Sequence, residues 1–321
     1  MNKKDLAIVI PVYNAENHLR RTLDSFVKQE NNTNLGFHVF IYDDASTDST
    51  CDVLNNYENI DLFTITYIKN NISTGEVRNL GIFKAVDSGY EYIAFCDSDD
   101  IMILSEVEKM VTKLRNTNAV YCIGQYRNID YTSGRYLDNT NEYKGIKFDA
   151  DNVIDSDINL FSITNASAWN KIYDLNFIMV NKIYFANTYY AEDMAFTYKA
   201  LATATYKKII FHLGVMYKYS HCDTNPNSND KKSIERENDL FGALDNVWEY
   251  IEEMEGLHIN KVNLFHYLIM SAIGHIRYAC NKLGDGTELQ VKGFKWLSEK
   301  QKILEQYCID FINNKKSDRK E

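Results

Sequence analysis

The stretch "LAIVIPVYNAENHLRRTLDSFVKQE" (residues 6–30) decides the fold, because a strand pattern passes within a few residues into a helix pattern. Residues 6–12 form a continuous apolar run, which is typical of a parallel strand buried on both faces. Further along, apolar side chains recur at helical spacing and form one face. They are Leu19, Leu23, Phe26 and Val27. The stretch therefore predicts a buried strand, a polar loop and an amphipathic helix.

The same alternation of strand and helix continues as far as residue 116. Further strands are predicted at 37–44, 62–68 and 92–96, and further helices after an N-cap at Ser46, Thr47 or Asp48, at 75–89 and at 105–116. Helices between strands imply right-handed crossovers, so we expect an α/β fold with a mostly parallel sheet flanked by helices. Ligands bind such sheets at the carboxyl ends of the strands, where "PVYN", "DDASTD" and "DSDD" fall.

The alternation loosens beyond this point, which suggests where the chain divides. We expect a first domain over 1–225, with halves at 1–125 and 126–225, and a helical C-terminal region over 226–321. The polar segment 220–232 holds one of the only two prolines and is the expected linker.

The helix pattern at 264–280 leaves three roles open. It is too short and too interrupted by charge to span a bilayer comfortably. We expect a core helix, with a peripheral membrane contact or a homo-oligomer interface as alternatives. Its stripe consists of Leu264, Leu268, Ile269, Ala272, Ile273 and Ile276.

Charge and cysteine content limit the function. The formal net charge is −10 and the pI is near 5.3, so no nucleic-acid partner is expected, since phosphate contacts need a basic face. The six cysteines are widely spaced, which favours reduced thiols. The N-terminal stretch resembles neither a signal peptide nor a membrane span. We therefore expect a cytoplasmic protein, located at the inner membrane surface if the C-terminal helices contact lipid.

Three carboxylates crowd the sequence "DSDD" (97–100) after the fourth predicted strand. Two unit charges about 4 Å apart repel by about 4 kcal/mol at an effective dielectric near 20. In an extended backbone Asp97 and Asp99 would point to the same side, where they could hold Mg²⁺ or Mn²⁺ together with substrate phosphates. The alternative is a turn or a helix cap.

A second carboxylate pair lies in "YDDASTDST" (42–50), at the same expected edge of the sheet. Asp44 is placed to accept the N3–H of a uracil ring, which cytosine cannot donate. The alternative gives all the polar residues of this segment to helix capping.

Five motifs in this order resemble family-2 glycosyltransferases of the GT-A fold. They are "IVIPVYNAENHLRRTLDS", "DDASTDST", "NISTGEVRNLGI", "FCDSDD" and "AEDMAF". The resemblance covers about residues 5–220, and the C-terminal hundred residues match no family. It implies a sheet whose second half, 126–225, faces the acceptor.

The resemblance implies a nucleotide-sugar site. Asp44 would bind uracil, Arg78 would meet the nucleotide, and Asp97 would lie on the ribose side. Asp99 would be the metal ligand, and His221 would be either a second ligand or a solvated side chain. The full nucleotide-sugar set is Pro11, Tyr13, Glu16, Asp44, Arg78, Asp97 and Ser98.

The resemblance also implies the catalytic and acceptor residues. Asp193 would be the general base, with Glu192 as its supporting neighbour. The alternative for these two acids is a favourable interaction with a helix N-terminus. Trp169 and Lys171 would contact the acceptor or pack the subdomain, and Asp174 stands where relatives often carry a basic residue.

Together these features predict a metal-dependent, inverting transferase that uses a UDP-sugar donor and Mn²⁺ or Mg²⁺. The expected acceptor is a saccharide, lipid-linked or protein-linked glycan in surface polysaccharide biosynthesis. Two other classes remain open, a phosphatase of the haloacid dehalogenase type and a non-catalytic sugar-nucleotide-binding protein. The phosphatase motif normally lies on the first strand, and a binding protein would not need Asp193.

Overall fold

The computed structural model describes residues 4–137, 153–155, 166–204, 208–221, 234–254, 261–283 and 287–317. The N-terminal half alternates strands and helices as predicted. Its strands are β1 (Leu6–Val12), β2 (Phe37–Asp43), β3 (Phe63–Tyr67), β4 (Tyr92–Phe95) and the short β5 (Ile101–Met102). Its helices are α1 (Leu19–Glu30), α2 (Thr50–Asn55), α3 (Thr74–Asp87) and α4 (Leu104–Asn116).

The following segment adds strands and two helices, and the C-terminal region is helical where the structure describes it. The strands are β6 (Ala119–Asp130), β7 (Val153–Asp155), β8 (Lys171–Asp174) and β9 (Lys208–His221). The helices are α5 (Leu175–Val180), α6 (Glu192–Thr203), α7 (Ile234–Glu253), α8 (Lys261–Leu283) and α9 (Thr287–Ser317).

All nine described strands belong to one sheet, in the order β3-β2-β1-β4-β8-β6-β9-β5, with β7 paired to β9. The first four strands in this order are parallel, as the sequence predicts. Beyond β4 the pairing is mixed, because β8 runs antiparallel to both β4 and β6 while β6 and β9 are parallel. The carboxyl ends of β1, β2 and β4 therefore meet at one edge, which confirms the α/β prediction for the part that carries the motifs.

The second helix starts later than its predicted cap. Its N-cap is Ser49, which makes no side-chain capping bond, and the helix begins at Thr50. Asp48 lies one residue before this N-cap, and its Oδ1 accepts a hydrogen bond from the Thr50 amide (3.0 Å). Polar residues before a helix are also used by the preceding loop, so the capping pattern alone misplaces the boundary.

The C-terminal helices share a core with the rest of the chain. Residues of α7, α8 and α9 belong to the same buried cluster as α6 and the adjoining face of the sheet. Trp248 stacks on Phe265 with ring centroids 4.1 Å apart. The predicted stripe lies mainly inside this core, with Leu264, Leu268 and Ala272 at most 1% exposed. The core-helix prediction therefore accounts for the stripe, and the predicted domain boundary near 225 lies outside the described residues.

Across these described ranges, no helix combines the length and the apolar content that crossing a bilayer would require.

Candidate active site

The loops that follow β1 and β2 are tied to each other above the sheet edge. Asn14 and Ala45 have positive φ angles of 48° and 57°, an unusual conformation for residues with a side chain. The Asn14 amide donates to Ser46 Oγ (2.9 Å), and the Thr47 amide donates to Asn14 Oδ1 (2.8 Å). These cross-loop bonds hold a backbone geometry that would otherwise be costly.

Glu16 takes part in these cross-loop hydrogen bonds and does not line a cavity. Its Oε2 accepts from the Ser49 amide (2.9 Å), and its own amide donates to Asp48 Oδ2 (3.2 Å). Glu16 is exposed and lines neither of the two cavities at the sheet edge. Glu16, which was expected in the nucleoside pocket, therefore stabilises the loops beside it.

The "DSDD" segment is a turn and not the extended strand end that was expected, yet Asp97 and Asp99 line the same cavity at the sheet edge. The Asp100 amide donates to the Asp97 carbonyl (3.2 Å) and closes the turn. Helix α1 holds it from outside, because Thr22 Oγ1 contacts the Ser98 and Asp100 carbonyls (2.8 and 2.9 Å). These contacts to backbone carbonyls stabilise the shape of the turn.

Asp100 explains how three carboxylates coexist in this turn. It is fully buried, and its Oδ1 accepts from the Ser220 amide (2.6 Å). Burial, with Asp99 and Asp97 nearby, raises the pKa of Asp100 well above its usual range. A raised pKa favours the neutral carboxylic acid, which relieves the repulsion within the turn.

Arg78 is the centre of the charged site. It lies in α3, is 3% exposed and bonds three carboxylates. Nη2 donates to Asp97 Oδ1 (2.8 Å), while Nη1 donates to Glu192 Oε1 (2.8 Å) and to Asp193 Oδ1. The other oxygen of Asp193 accepts from the Ala168 amide (3.1 Å). One guanidinium of α3 thus brings together residues from the turn after β4 and from the start of α6.

The excess negative charge shows in the pKa values of this group. Burial first, and then the neighbouring Asp193, raises the pKa of Glu192 to about 7, although Arg78 opposes the shift. Burial also raises the pKa of Asp97 to about 6, with Asp193 and Asp99 acting in the same direction and Arg78 against it. A single cation does not fully compensate this cluster, which leaves room for a further positive charge.

Helix α3 packs closely against the segment that leads into α6. A Cβ atom at Gly75 would lie 2.2 Å from the Ala186 carbonyl oxygen. Asn79 donates to the Phe185 carbonyl (3.1 Å) and accepts from the Phe185 amide (2.8 Å). Ala191, with φ 62°, turns the chain into α6 directly before Glu192. These contacts place the two acids against Arg78.

Two adjoining cavities open at this edge. The aspartate cavity, about 540 Å³, includes Arg78, Asp97, Ser98 and Asp99 in its lining. The tyrosine cavity, about 610 Å³, includes Tyr189, Tyr190, Tyr198 and Asp193. Both are of the size that small-molecule sites usually have. The residues common to the two linings are Tyr13, Asp44, Thr74 and Glu192.

Asp44 lies where the two cavities meet. It is 5% exposed, with Oδ1 accepting from the Ile72 amide (2.8 Å) and Oδ2 from Asn71 Nδ2 (2.9 Å). Burial raises the pKa of Asp44. Each carboxylate oxygen can accept more than one hydrogen bond, so a ligand N–H can still be bound here. Pro11 and the half-exposed Tyr13 line the aspartate cavity beside it.

Three other predicted residues lie away from both cavities. His221 is exposed at the end of β9, where its Nε2 pairs with Asn128 Oδ1 (2.9 Å). Trp169 is 5% exposed and stacks on Tyr217 with ring centroids 4.6 Å apart. Lys171 is fully buried, and its Nζ donates to the Ser167 carbonyl (2.6 Å). The packing alternative accounts for Trp169 and Lys171, and the acceptor assignment does not fit their burial.

The sequence reasoning missed the tyrosines of the second cavity. Tyr189 and Tyr190 stand in "YYAED", directly before the two acids. Adjacency to a candidate base was the signal that could have identified them. Tyr198 lies one helical turn after Met194, on the same helix as the candidate base Asp193.

The aspartate cavity suits a divalent cation. Its lining carries four carboxylates, and Arg78 is the only Lys or Arg among the described residues that line it. A bound diphosphate would add further negative charge. Mg²⁺ and Mn²⁺ commonly use one or two carboxylates and complete their shell with water and phosphate oxygens. In the described part of the chain, no group of three or more His, Cys, Asp or Glu side chains could hold a metal by itself.

Comparison with known sequences identifies the family. The sequence model described as "Glycosyl transferase family 2" matches residues 7–175, more than half of the chain. This chain belongs to glycosyl transferase family 2. That assignment removes the phosphatase alternative, as does the position of "DSDD" after β4 rather than β1.

Named glycosyltransferases match this chain over different spans. The chain is 27% identical to "Glycosyltransferase GlyA" of Streptococcus pneumoniae over 59% of this chain and 22% of that protein. It is 28% identical to the "Poly(ribitol-phosphate) beta-glucosyltransferase" of Bacillus spizizenii over 81% of this chain and 38% of that protein. The chain thus spans well under half the length of each of these two relatives.

Solved structures agree on the fold of this family-2 chain. S. aureus TarS 1–349, in complex with UDP-GlcNAc, superposes with a TM-score of 0.67 at 19% identity, covering 94% of this chain and 81% of that one. This likeness confirms the GT-A architecture and extends through the helical C-terminal region.

Proposed function

We propose that this chain is a metal-dependent, inverting glycosyltransferase that moves a sugar from a UDP-sugar to a hydroxyl of a saccharide or glycoconjugate acceptor. The observation that carries the proposal is the Arg78 cluster, which joins Asp193 to Asp97 beside Asp99. The names of the relatives support a role in surface polysaccharide biosynthesis, and a TarS complex with UDP-GlcNAc supports the donor class. The free cysteines among the described residues support the cytoplasmic expectation.

Asp193 serves as the general base in this proposal. Its two oxygens are fixed by Arg78 and the Ala168 amide, and its side chain remains 21% exposed beside the tyrosine cavity. It would take the proton from the acceptor hydroxyl as that oxygen attacks the anomeric carbon. Attack opposite the leaving diphosphate inverts the anomeric centre. Glu192 would support the base by sharing Arg78.

The nucleotide would occupy the aspartate cavity, with uracil at Asp44 and Tyr13. Asp99 would hold Mn²⁺ or Mg²⁺ together with the diphosphate of the donor. When bound, the cation would supply charge stabilisation for the departing diphosphate. His221 is left out of this ligand set because it lines neither cavity.

A panel of UDP-sugars tests the proposal. We expect hydrolysis of at least one donor with Mn²⁺ or Mg²⁺, and loss of that activity with excess chelator. Calorimetry should show tighter binding of UDP than of CDP, because cytosine lacks the N3–H that uracil would donate to Asp44. Tight UDP binding without turnover of any donor or acceptor would instead favour the non-catalytic binding protein.

A further inference from the structure

The candidate base faces one cavity and the candidate metal ligand the other. Asp193 lines the tyrosine cavity only, whereas Arg78, Asp97 and Asp99 line the aspartate cavity only. Glu192 lines both and marks the junction. If the donor diphosphate lies over Asp99, the tyrosine cavity is the side from which a hydroxyl reaches the base.

Aromatic faces dominate the outer part of this cavity. Tyr189 is 64% exposed and Tyr13 is 47% exposed, although large aromatic side chains are usually buried. Tyr190 and Tyr198 also belong to the lining. A tyrosine presents an apolar ring and a polar hydroxyl, which suits a ligand with apolar C–H faces and many hydroxyls. Pyranose rings have this character.

The charge of the cavity restricts the ligand further. Asp44, Glu192 and Asp193 line it, and no Lys or Arg occurs among its described lining residues. Arg78 already pairs with Glu192 and Asp193 and lines the aspartate cavity, so a phosphate or carboxylate on the ligand would meet three acids and no Lys or Arg in this described lining. A neutral ligand avoids that repulsion.

The C-terminal helices hold the wall of this cavity. The Tyr189 amide donates to Asp239 Oδ2 of α7 (3.0 Å). The Tyr198 hydroxyl pairs with the Tyr267 hydroxyl of α8 (3.3 Å), and the two rings meet edge to face. The C-terminal helices thus hold Tyr189 and Tyr198 in place, although neither tyrosine belongs to the C-terminal region.

We propose that the tyrosine cavity binds the neutral saccharide end of the acceptor, with Tyr189 as its stacking surface, and that it disfavours polyol-phosphate or uronic-acid ends. The assignment rests on the proposed function. It separates this chain from the Bacillus spizizenii relative, whose name specifies a poly(ribitol phosphate) acceptor.

The test measures transfer by the full chain with Mn²⁺ and the UDP-sugar that it hydrolyses best. The neutral probes are p-nitrophenyl hexosides and N-acetylhexosaminides, and the anionic probes are p-nitrophenyl glucuronide and short ribitol phosphate oligomers. We expect transfer to a neutral probe and at least about tenfold weaker use of the anionic ones. Acceptor competition at low and high salt shows whether the discrimination is electrostatic.

Variants of Tyr189 test the stacking surface. Tyr189→Ala should raise the acceptor KM about fivefold or more, the equivalent of about 1 kcal/mol of lost stacking, with a smaller change in UDP affinity. Tyr189→Phe keeps the ring and should keep the acceptor KM within about twofold. The matched control is Tyr67→Ala, because Tyr67 is 43% exposed on β3 and lines neither cavity.

Preferred transfer to the anionic probes, or an unchanged acceptor KM in Tyr189→Ala, would overturn the assignment. Donor hydrolysis without transfer to any neutral probe would also overturn it while leaving the proposed function intact. No hydrolysis of any donor and no UDP binding by the parent chain would overturn both.

Discussion

At the scale of single residues, the proposed function assigns binding of the donor and removal of the acceptor proton to different side chains. Asp193 and Asp99 are both carboxylates, yet they line different cavities. Asp193→Asn removes the proton acceptor and keeps the volume. We expect turnover to fall by about 10²- to 10⁴-fold, the usual contribution of a positioned base, while UDP affinity with Mn²⁺ stays near that of the parent.

Asp99→Ala is the matched comparison, because it removes a carboxylate from the same site without removing the base. It should weaken Mn²⁺-dependent UDP binding as well as transfer, and excess chelator should have the same effect on the parent chain. Calorimetry and initial rates on both variants distinguish the two roles. Loss of UDP binding in Asp193→Asn as severe as in Asp99→Ala would rule out this division.

The raised pKa of Glu192 sets the sign of a pH dependence in the stability of the chain. Burial raises the pKa of Glu192 from an ordinary 4.5 to about 7. Between these values the native state holds a proton that the unfolded chain has released, so the free energy of unfolding falls as the pH rises through this window. The contribution is at most about 3 kcal/mol, because one pKa unit corresponds to about 1.4 kcal/mol.

Urea unfolding from about pH 4.5 to about pH 8 measures this contribution. Glu192→Gln should flatten the decline, since its amide does not titrate. The control is Glu58→Gln, because Glu58 is exposed, accepts a hydrogen bond from the Tyr67 hydroxyl (3.0 Å) and lines neither cavity. Equal slopes in the parent and in Glu192→Gln would contradict the raised pKa.

At the scale of elements, the sequence predicted what local patterns encode. The strand predicted at 6–12 and the helix at 105–116 match β1 and α4 within a residue, because continuous apolar runs and helical periods are local signals. The antiparallel strand β8 is only four residues long and has no usable period. Its placement between β4 and β6 depends on partners far away in the chain.

The candidate site shows the same division. Motif order identified Asp97, Arg78 and Asp193 as members of one site, but not that Arg78 would bond Asp193 115 residues away. Trp169 is buried because it stacks on Tyr217 of β9. The tyrosine cavity forms only where residues 71–74, before and at the start of α3, meet residues 189–194, before and at the start of α6. Contacts of this range are set by tertiary packing, which no local pattern reports.

Helix α1 supports a prediction at this scale, because its Thr22 hydroxyl holds two carbonyls of the "DSDD" turn. Thr22→Val keeps the shape but leaves those buried acceptors without this donor, at a cost of about 1–3 kcal/mol in the free energy of unfolding. We also expect weaker Mn²⁺-dependent UDP binding, since Asp99 lies within the turn. Denaturation and calorimetry measure the two effects.

Thr22→Ser should restore both quantities, because it returns the hydroxyl. The control is Thr112→Val, which removes a hydroxyl from an exposed Thr whose Oγ1 donates to the Glu108 carbonyl (2.8 Å) of α4. If Thr22→Val were less stable but bound UDP as tightly as the parent, the turn would not control the metal site.

At the scale of the whole molecule, the C-terminal helices share a core with α6, which carries the proposed base. Trp248 is fully buried, stacks on Phe265 and meets the edge of Trp296 at 6.1 Å. In the full chain, Trp248→Ala should lower the free energy of unfolding by about 3–5 kcal/mol, the usual cost of removing a buried aromatic ring. Trp248→Phe should cost less, because it leaves a smaller cavity.

Removal of the chain after about residue 230 is the stronger test of this shared core. It would uncover the face of α6 whose Tyr198 and Thr203 pair with Tyr267 of α8 and Tyr250 of α7, and would open the apolar core that these helices share. Large exposed apolar surfaces promote association. It would also remove Asp239 and Tyr267, which hold the tyrosine cavity. Size-exclusion chromatography should therefore show aggregated or insoluble protein, whereas a chain ending at Ser317 should behave like the parent. A monomeric and fully active shortened chain would show that the C-terminal helices neither complete the core nor shape the acceptor side.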